Sequence, residues 1–368
     1  MASNEDVTTF NSTVIKLFKL CISRELDGNV FFGARGAYDG LLFLYYGSEP
    51  EDRAIVAKYG LVKPPPNECC KSIILILHHT DITGPVKESF LKSIKMSGIS
   101  IAVLGHNSKH ALKDVDIERF NKAVERMTEN QIKDAITRES FNFPDMAVLQ
   151  TKTKFTGHWK RPLFNLQGEF HIKENMTITL PLMRINFTDM KIPMAYIKSM
   201  DANVYKLPYK ENLSMLVYIP QTVVGFNKLW TDISIFNGYD KHFDETLLGP
   251  LTMKRCTGIT MPEYEYSTDL DISKRIKEIT PYNRLNMDDV FVNPTSDESS
   301  YRFKIHSHII NSEDGTATKS SFTTMQSDRG FSNFPHIHIN RPFAYYIIQG
   351  SNDIVNLGIF MGRECNYE

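Results

Sequence analysis

The sequence predicts a mixed α+β fold, with helices mainly early and strands mainly late. Three observations carry this. Residues 9–26 and 114–135 repeat apolar side chains about every 3.6 residues, the signature of amphipathic helices. From 146 onward, runs such as MAVLQTKTKF, YRFKIHSHII and FAYYII are rich in β-branched and aromatic residues. Between the last two lies NSEDGTATKSSFTTMQSDRG (311–330), about twenty mostly small and polar residues, longer than the loops of compact domains usually run.

In order along the chain, Phe10, Val14, Leu17, Phe18 and Cys21 recur at helical spacing, and Gly28 takes the stop position that favours glycine. NVFF (29–32) reads as a strand and AYDGLLFLYYG as a helix. VKPPPNECC is a breaker, because proline fits neither a helix interior nor a central strand. IILIL (73–77) and ISIAVL (99–104) are continuous apolar runs, as in strands buried on both faces, with a helix at 85–97 between them. Within 114–135, Ile117, Phe120, Val124, Met127 and Ile132 make the apolar stripe of a surface helix. MAVLQTKTKF (146–155) is a long strand, and 165–265 is mostly strands and turns. Residues 269–278 read as a short helix, and 301–310 and 336–360 return to strands. No repeat, low-complexity segment or linker divides the chain, so a single domain over 1–368 is expected.

Composition narrows the function classes. The 368 residues are 42% hydrophobic and 23% charged, with net charge -1. Nothing in that balance argues for nucleic acid or an anionic membrane as partner. No apolar run approaches the roughly 20 residues of a spanning helix. The start, MASNEDVTTFNSTVIKLFKL, carries Glu5 and Asp6 and no basic region, unlike a signal peptide. A cytoplasmic protein is expected, with leaderless secretion left open. Cys21, Cys69, Cys70, Cys256 and Cys365 are few and scattered, as thiols in a reducing compartment are. The sequons at Asn11, Asn175, Asn186 and Asn212 matter only if the protein is exported.

Familiar catalytic motifs are missing: no G-x-S-x-G, no phosphate-binding G-x-x-x-x-G-K-[ST], no H-E-x-x-H and no Cys-x-x-Cys. Two His-x-His pairs, His306/His308 and His336/His338, each share one face of a strand. Four imidazoles could meet at a metal only if those strands were neighbours, and no carboxylate or cysteine stands nearby at ligand spacing. The expectation is no metal and no cofactor. His78-His79 points to opposite faces of a strand, and Cys69-Cys70 reads as a pair of solvated loop thiols.

A resemblance covers roughly residues 10–366. INRPF (339–343), GIFMGR (358–363) and EDGT (313–316) resemble the Phe-Asn-Arg-Pro-Phe strand, the closing Leu-Phe-Met-Gly-Arg strand and the Glu-Glu-Gly-Thr hinge of serpins. NVFF, ENQIKD (129–134), KFTGHWKRPLF (154–164), KLPYK (206–210), SMLVYIP (214–220) and MPEYEYSTDL (261–270) follow the same family in order. The resemblance implies a large mixed β-sheet, smaller sheets, N-terminal helices and an exposed reactive-centre loop at about 313–335. It implies a protease inhibitor and not an enzyme, with a target protease as partner and a monomer expected. The region around VKPPPNECC is shortened relative to the family. In that respect the chain is similar to intracellular serpins of large DNA viruses, poxviruses especially.

In the family this loop is bait. A protease attacks it and forms an acyl-enzyme, and the hinge side then inserts into the main sheet as a new strand. The hinge here would be Glu313, Asp314, Gly315, Thr316, Ala317, Thr318, Lys319, Ser320, Ser321 and Phe322. Side chains alternate along a strand, so Thr316, Thr318, Ser320 and Phe322 would face inward and Ala317, Lys319, Ser321 and Thr323 outward. Lys319 then keeps its charge in solvent, whereas Phe322 is larger than the family prefers. With Gly315 as the fifteenth residue before the scissile bond, that bond is Arg329-Gly330, which suits a trypsin-like serine protease because arginine pairs with a carboxylate at the base of a pocket. A loop counted one residue shorter makes Asp328 the bait, as in viral serpins that block caspases.

The resemblance also implies a sheet-opening region. Where the family has Ser-Pro and a further serine after NVFF, this chain has Gly33, Ala34 and Gly36. The asparagine eight residues before the family's tryptophan is Thr151, counting back from Trp159. The matching histidine falls on Ile305, or on His306 with one residue deleted. An altered polar network of this kind leaves a second reading open, a serpin-fold binding protein that no longer inhibits.

Overall fold

The computed structural model describes residues 4–21, 28–48, 53, 70–140, 147–160, 164–186, 191–198, 200–210, 212–231, 252–273, 287–294, 301–312, 335–350 and 353–362. Its helices are α1 (Asn4–Cys21), α2 (Ala34–Gly47), α3 (Thr80–Thr83), α4 (Glu88–Met96), α5 (Asp114–Met127) and α6 (Gly225–Thr231). The strands begin with β1 (Val30–Phe32), β2 (Cys70–His79), β3 (Ile101–His106), β4 (Ala147–Thr156), β5 (Phe164–Lys173), β6 (Met176–Asn186), β7 (Lys191–Ile197) and β8 (Ala202–Pro208). They continue with β9 (Leu213–Pro220), β10 (Thr252–Arg255), β11 (Gly258–Pro262), β12 (Tyr264–Asp271), β13 (Tyr301–Asn311), β14 (His336–His338), β15 (Phe343–Gln349) and β16 (Asp353–Phe360).

These strands form three sheets: a 7-stranded sheet ordered β1-β16-β15-β9-β8-β7-β10, a 4-stranded sheet ordered β14-β11-β6-β5, and a 5-stranded sheet ordered β12-β13-β4-β2-β3. The last is mixed, since β2 runs parallel to β3 and antiparallel to β4. The residues cluster into two compact units that interleave along the chain. One comprises Met1–Ser23, Phe32–Phe155 and Ser267–His308; the other comprises Arg24–Phe31, Thr156–Tyr266 and Ile309–Glu368.

In the first unit the apolar stripe of α1 meets α2 and Phe32, with Phe10 against Tyr38 and Phe18 edge-on to Phe32. IILIL is buried as expected, inside the longer β2. Because β2 begins at Cys70, that thiol is buried and not in a solvated loop. ISIAVL instead ends the sheet: β3 is its edge, and Val103 is exposed. An apolar run does not by itself distinguish an edge strand from a central one.

Helix α5 stops well before residue 135. Glu129 and Asn130 have φ of 54° and 62°, left-handed values that end a helix. Thr128 helps turn the chain, its hydroxyl bonding to the Val124 carbonyl and accepting from the Ile132 N–H. Ile132, Ala135 and Ile136 still reach the core with Phe120 and Val124, all packed on Ile73, Leu75 and Leu77 of β2. The short helix expected at 269–278 is strand through Asp271, because buried Tyr264, Tyr266 and Thr268 alternate with exposed Glu265, Ser267 and Asp269. Residues 274–278 lie outside the described residues.

The second unit holds the 7-stranded and 4-stranded sheets. Its core is aromatic: Phe360 stacks on Tyr264, and Phe170 and Phe343 pack against Phe360. The Tyr266 hydroxyl meets the Tyr345 hydroxyl at 2.7 Å, which satisfies two buried polar groups at once.

Candidate functional site

Helix α2 runs beneath the place where β4 and β13 are paired, and its glycines make that approach possible. A Cβ on Gly36 would lie 2.0 Å from Thr153 Oγ1, and one on Gly33 would lie 2.6 Å from Thr153 Cβ. A Cβ on Gly40 would meet Phe303 of β13 at 2.6 Å and Thr151 of β4 at 3.2 Å, so this helix turn touches both strands. The Gly33 N–H donates to the Ser307 hydroxyl at 3.0 Å, tying the start of α2 to β13. Thr151 and Thr153 are buried, and among the described residues neither hydroxyl has a hydrogen-bond partner.

One turn further along α2 sits a buried carboxylate. Arg35 Nε donates to Asp39 Oδ1 at 2.9 Å, an i,i+4 pair whose acidic end is almost fully enclosed. Burial pushes the Asp39 carboxyl above its usual range, opposed by the Arg35 guanidinium and the Ser72 hydroxyl.

The opposite face of the same strands carries charge. His306 lies on that face of β13, with the alternate residues Ile305 and Ser307 turned inward. Its Nδ1 is 2.7 Å from Asp269 Oδ1, and His308 Nδ1 is 2.8 Å from Ser267 Oγ, so both imidazoles bond to β12. The His306 hydrogen bond holds the Asp269 carboxyl below its usual range. Burial lowers the Lys152 ammonium of β4, with Asp269 and Asp134 opposing.

Where β13 ends, Asn311 is buried; its Oδ1 accepts from the Tyr209 hydroxyl at 3.3 Å. Trp159 stacks on Tyr209, ring centroids 4.1 Å apart, and its indole N–H has no partner among the described residues. Backbone bonds fix both sides of this pair: Lys210 N–H donates to the His158 carbonyl at 2.7 Å and Lys160 N–H to the Pro208 carbonyl at 3.3 Å. The segment that follows lies outside the described residues, and with it Arg329, Gly330, the alternative Asp328 and the hinge residues 313–322. The chain resumes at Pro335 and β14, the edge of the 4-stranded sheet and parallel to β11.

His336 and His338 therefore sit in a different sheet from His306 and His308, so the two strands are not the neighbours that a four-histidine site needs. Among the described residues no group of three or more His, Cys, Asp or Glu could hold a metal ion. His336 Nε2 is 2.7 Å from Thr260 Oγ1, and its ring lies 4.7 Å from that of His338. Gly258 leaves the imbedded ring its room, since a Cβ there would stand 2.9 Å from His336 Cε1.

A protein-family model described as Serpin (serine protease inhibitor) matches residues 73–367. The chain belongs to the serpin family. Among curated serpins it is similar to mouse (Mus musculus) Serpin B13, 21% identical over 260 residues, which cover 68% of this chain and 63% of that one. It is also similar to Antitrypsin of Bombyx mori, 24% identical over 271 residues, which cover 67% and 63%. The match thus spans less than two thirds of either relative's length. Among solved structures, Serpin48 of the insect Tenebrio molitor superposes with a TM-score of 0.73 at 16% identity, covering 98% of this chain and 99% of that one. That likeness shows the serpin fold: three sheets with a few helices.

Sequence reasoning named Gly33, Gly36, Thr151, Trp159 and His306 and missed Thr153, Ser307 and Asp39. The first two were recoverable. In QTKTKF and KIHSH the period of two puts Thr153 on the face of Thr151, and Ser307 opposite to His306. The signal for Asp39 is one carboxylate inside the otherwise apolar AYDGLLFL. The geometry also gives Gly36 a test. Restoring the family's serine with Gly36→Ser should destabilise the fold by about 1–3 kcal/mol, because the new Cβ collides with Thr153. Thr153→Ala in the same chain should recover much of the loss in a denaturant titration. Equal losses in single and double variants would mean that the collision is absent.

The serpin's edge strand gives a pH test. Burial, Arg184 and His338 lower His336 to about 4. The fold thus favours neutral imidazole; its contribution is complete above about pH 6.5 and is lost as pH falls toward 4. Solvent screening at this half-buried ring reduces the effect to on the order of 1 kcal/mol. His336→Gln should therefore flatten the fall in thermal midpoint between pH 6.5 and 4, and superimposable profiles would rule the effect out.

Proposed function

We propose that this serpin inhibits a trypsin-like serine protease by offering Arg329-Gly330 as bait and trapping the enzyme through strand insertion. The observation that carries the reading is the place of residues 313–334. They join the end of β13, a central strand, to β14 in another sheet, and their sequence combines the small residues Thr316, Thr318 and Ser320 in the hinge with an arginine at the family's cleavage position. The protease serine Oγ would bond to the Arg329 carbonyl carbon. The Arg329–Gly330 bond would break, and the proton would pass to the departing Gly330 amine. Before water frees the enzyme, the cut hinge would enter beside β13, an instance of strand addition for which serpin insertion is itself a named example. The name of the Bombyx mori relative, Antitrypsin, supports the same protease class. The few, scattered cysteines, with Cys70 and Cys256 buried, suit the cytoplasmic setting we infer.

Incubation with trypsin should give a covalent complex that survives denaturing electrophoresis, and Arg329→Ala should abolish it. Cleaved chain without complex would overturn the reading. A complex with a caspase that Asp328→Ala abolishes would move the bait to Asp328.

A further inference from the structure

We propose that the chain pairs with a second copy of itself through β5, the two edge strands running antiparallel about a twofold axis at Gln167. β5 closes the 4-stranded sheet, and among the described residues no strand lies on the side away from β6. His171 N–H donates toward that side, to the Asn340 carbonyl at 2.8 Å. Backbone directions alternate along a ladder, so the N–H and C=O groups of Asn165, Gln167 and Glu169 also point away from β6. Their side chains are exposed. Such an edge is a template for another strand unless lysine, proline or a bulge blocks it. At the edge of the 7-stranded sheet, β10 carries Lys254 and Arg255. In β5 the run FNLQGEFHI holds no lysine or proline, and the register shifts only after His171. The run also fits itself. About an axis at Gln167, that residue faces its own copy and Asn165 faces Glu169 of the other chain, in both directions. Each facing pair can exchange both of its N–H···O bonds, and the Asn165 amide can donate to the Glu169 carboxylate. The acid thus never meets its like. Leu166, which is 36% exposed, falls opposite Gly168 of the other copy, where no side chain obstructs it. A register centred on Gly168 would need the His171 N–H, which the Asn340 carbonyl already occupies.

This pairing stands apart from the bait reading and departs from the monomer that the family resemblance implies. Sedimentation of the full chain at about 0.1 mM should give twice the 42.2 kDa chain mass. Asn165→Glu sets a glutamate against Glu169 at both facing places and should weaken association at least about tenfold. Adding Glu169→Lys makes both places opposite-charge pairs and should restore the dimer. Both positions are exposed, so neither change enters the core, and a native circular dichroism spectrum checks this. Mild oxidation of Gln167→Cys should join two chains by a disulfide at that position, located by mass spectrometry. A wild type that stays monomeric at about 0.1 mM overturns the proposal. So does a dimer that Asn165→Glu leaves intact, or one that the double variant fails to restore. Amides of β5 that gain protection from exchange only when trypsin is added would give the edge to the protease and also overturn self-pairing.

Discussion

Cutting the chain at Arg329 is expected to raise its midpoint of thermal unfolding by more than about 10 °C. The strand that would enter follows β13 directly, so it can fold back alongside β13 only by separating it from a neighbour. Separation from β4 places the new strand over α2, where glycines and small side chains line the floor. Two new ladders of backbone hydrogen bonds and a closed central sheet then outweigh the entropy of ordering a strand. The uncut form would be held by the barrier to opening and not by its depth. Phe322 works against the gain, since an oversized inward residue costs about 1–3 kcal/mol. Phe322→Ala should therefore widen the difference between cut and uncut chains. Equal midpoints before and after cleavage would remove insertion from this protein and favour a serpin-fold binding protein that no longer inhibits.

How far the fold could be read from the sequence depends on the range of the interaction concerned. Strands β2, β4 and β13 were legible because a period of two, or an unbroken apolar run, is a local record of burial. The edge position of β3 was not, since it depends on which strands fail to pair. The end of α5 was hidden because Glu129 and Asn130 turn left-handed without a glycine to announce it. The contact of α2 with β4 shows the same limit at the site. Gly33 and Gly36 read as serines lost, yet their backbone accommodates a threonine from a distant strand, and no local pattern records that meeting. The parity of His306 was legible in principle, but family spacing drew attention to the imidazole and away from its neighbour Ser307.

Asp39 offers the other large effect. Its carboxylate is buried in the middle of α2, and Arg35 supplies the cation that compensates it. Arg35→Met keeps most of the aliphatic stem and removes the charge, leaving an uncompensated buried carboxylate. The expected loss at pH 7 is about 3 kcal/mol, the lower end for a broken buried pair because the Arg35 side chain is itself partly exposed. The pH dependence has the opposite sign to that of His336. Burial raises Asp39, so the folded chain binds a proton more readily than the unfolded one. As pH falls through the raised value the carboxyl becomes neutral, and the deficit of Arg35→Met should shrink, vanishing below the ordinary carboxylate range. Adding Asp39→Asn to Arg35→Met should recover stability at pH 7 without acid. A deficit that stays constant from pH 7 to pH 4, or that Asp39→Asn leaves untouched, would mean that Arg35 contributes through packing and not through its charge.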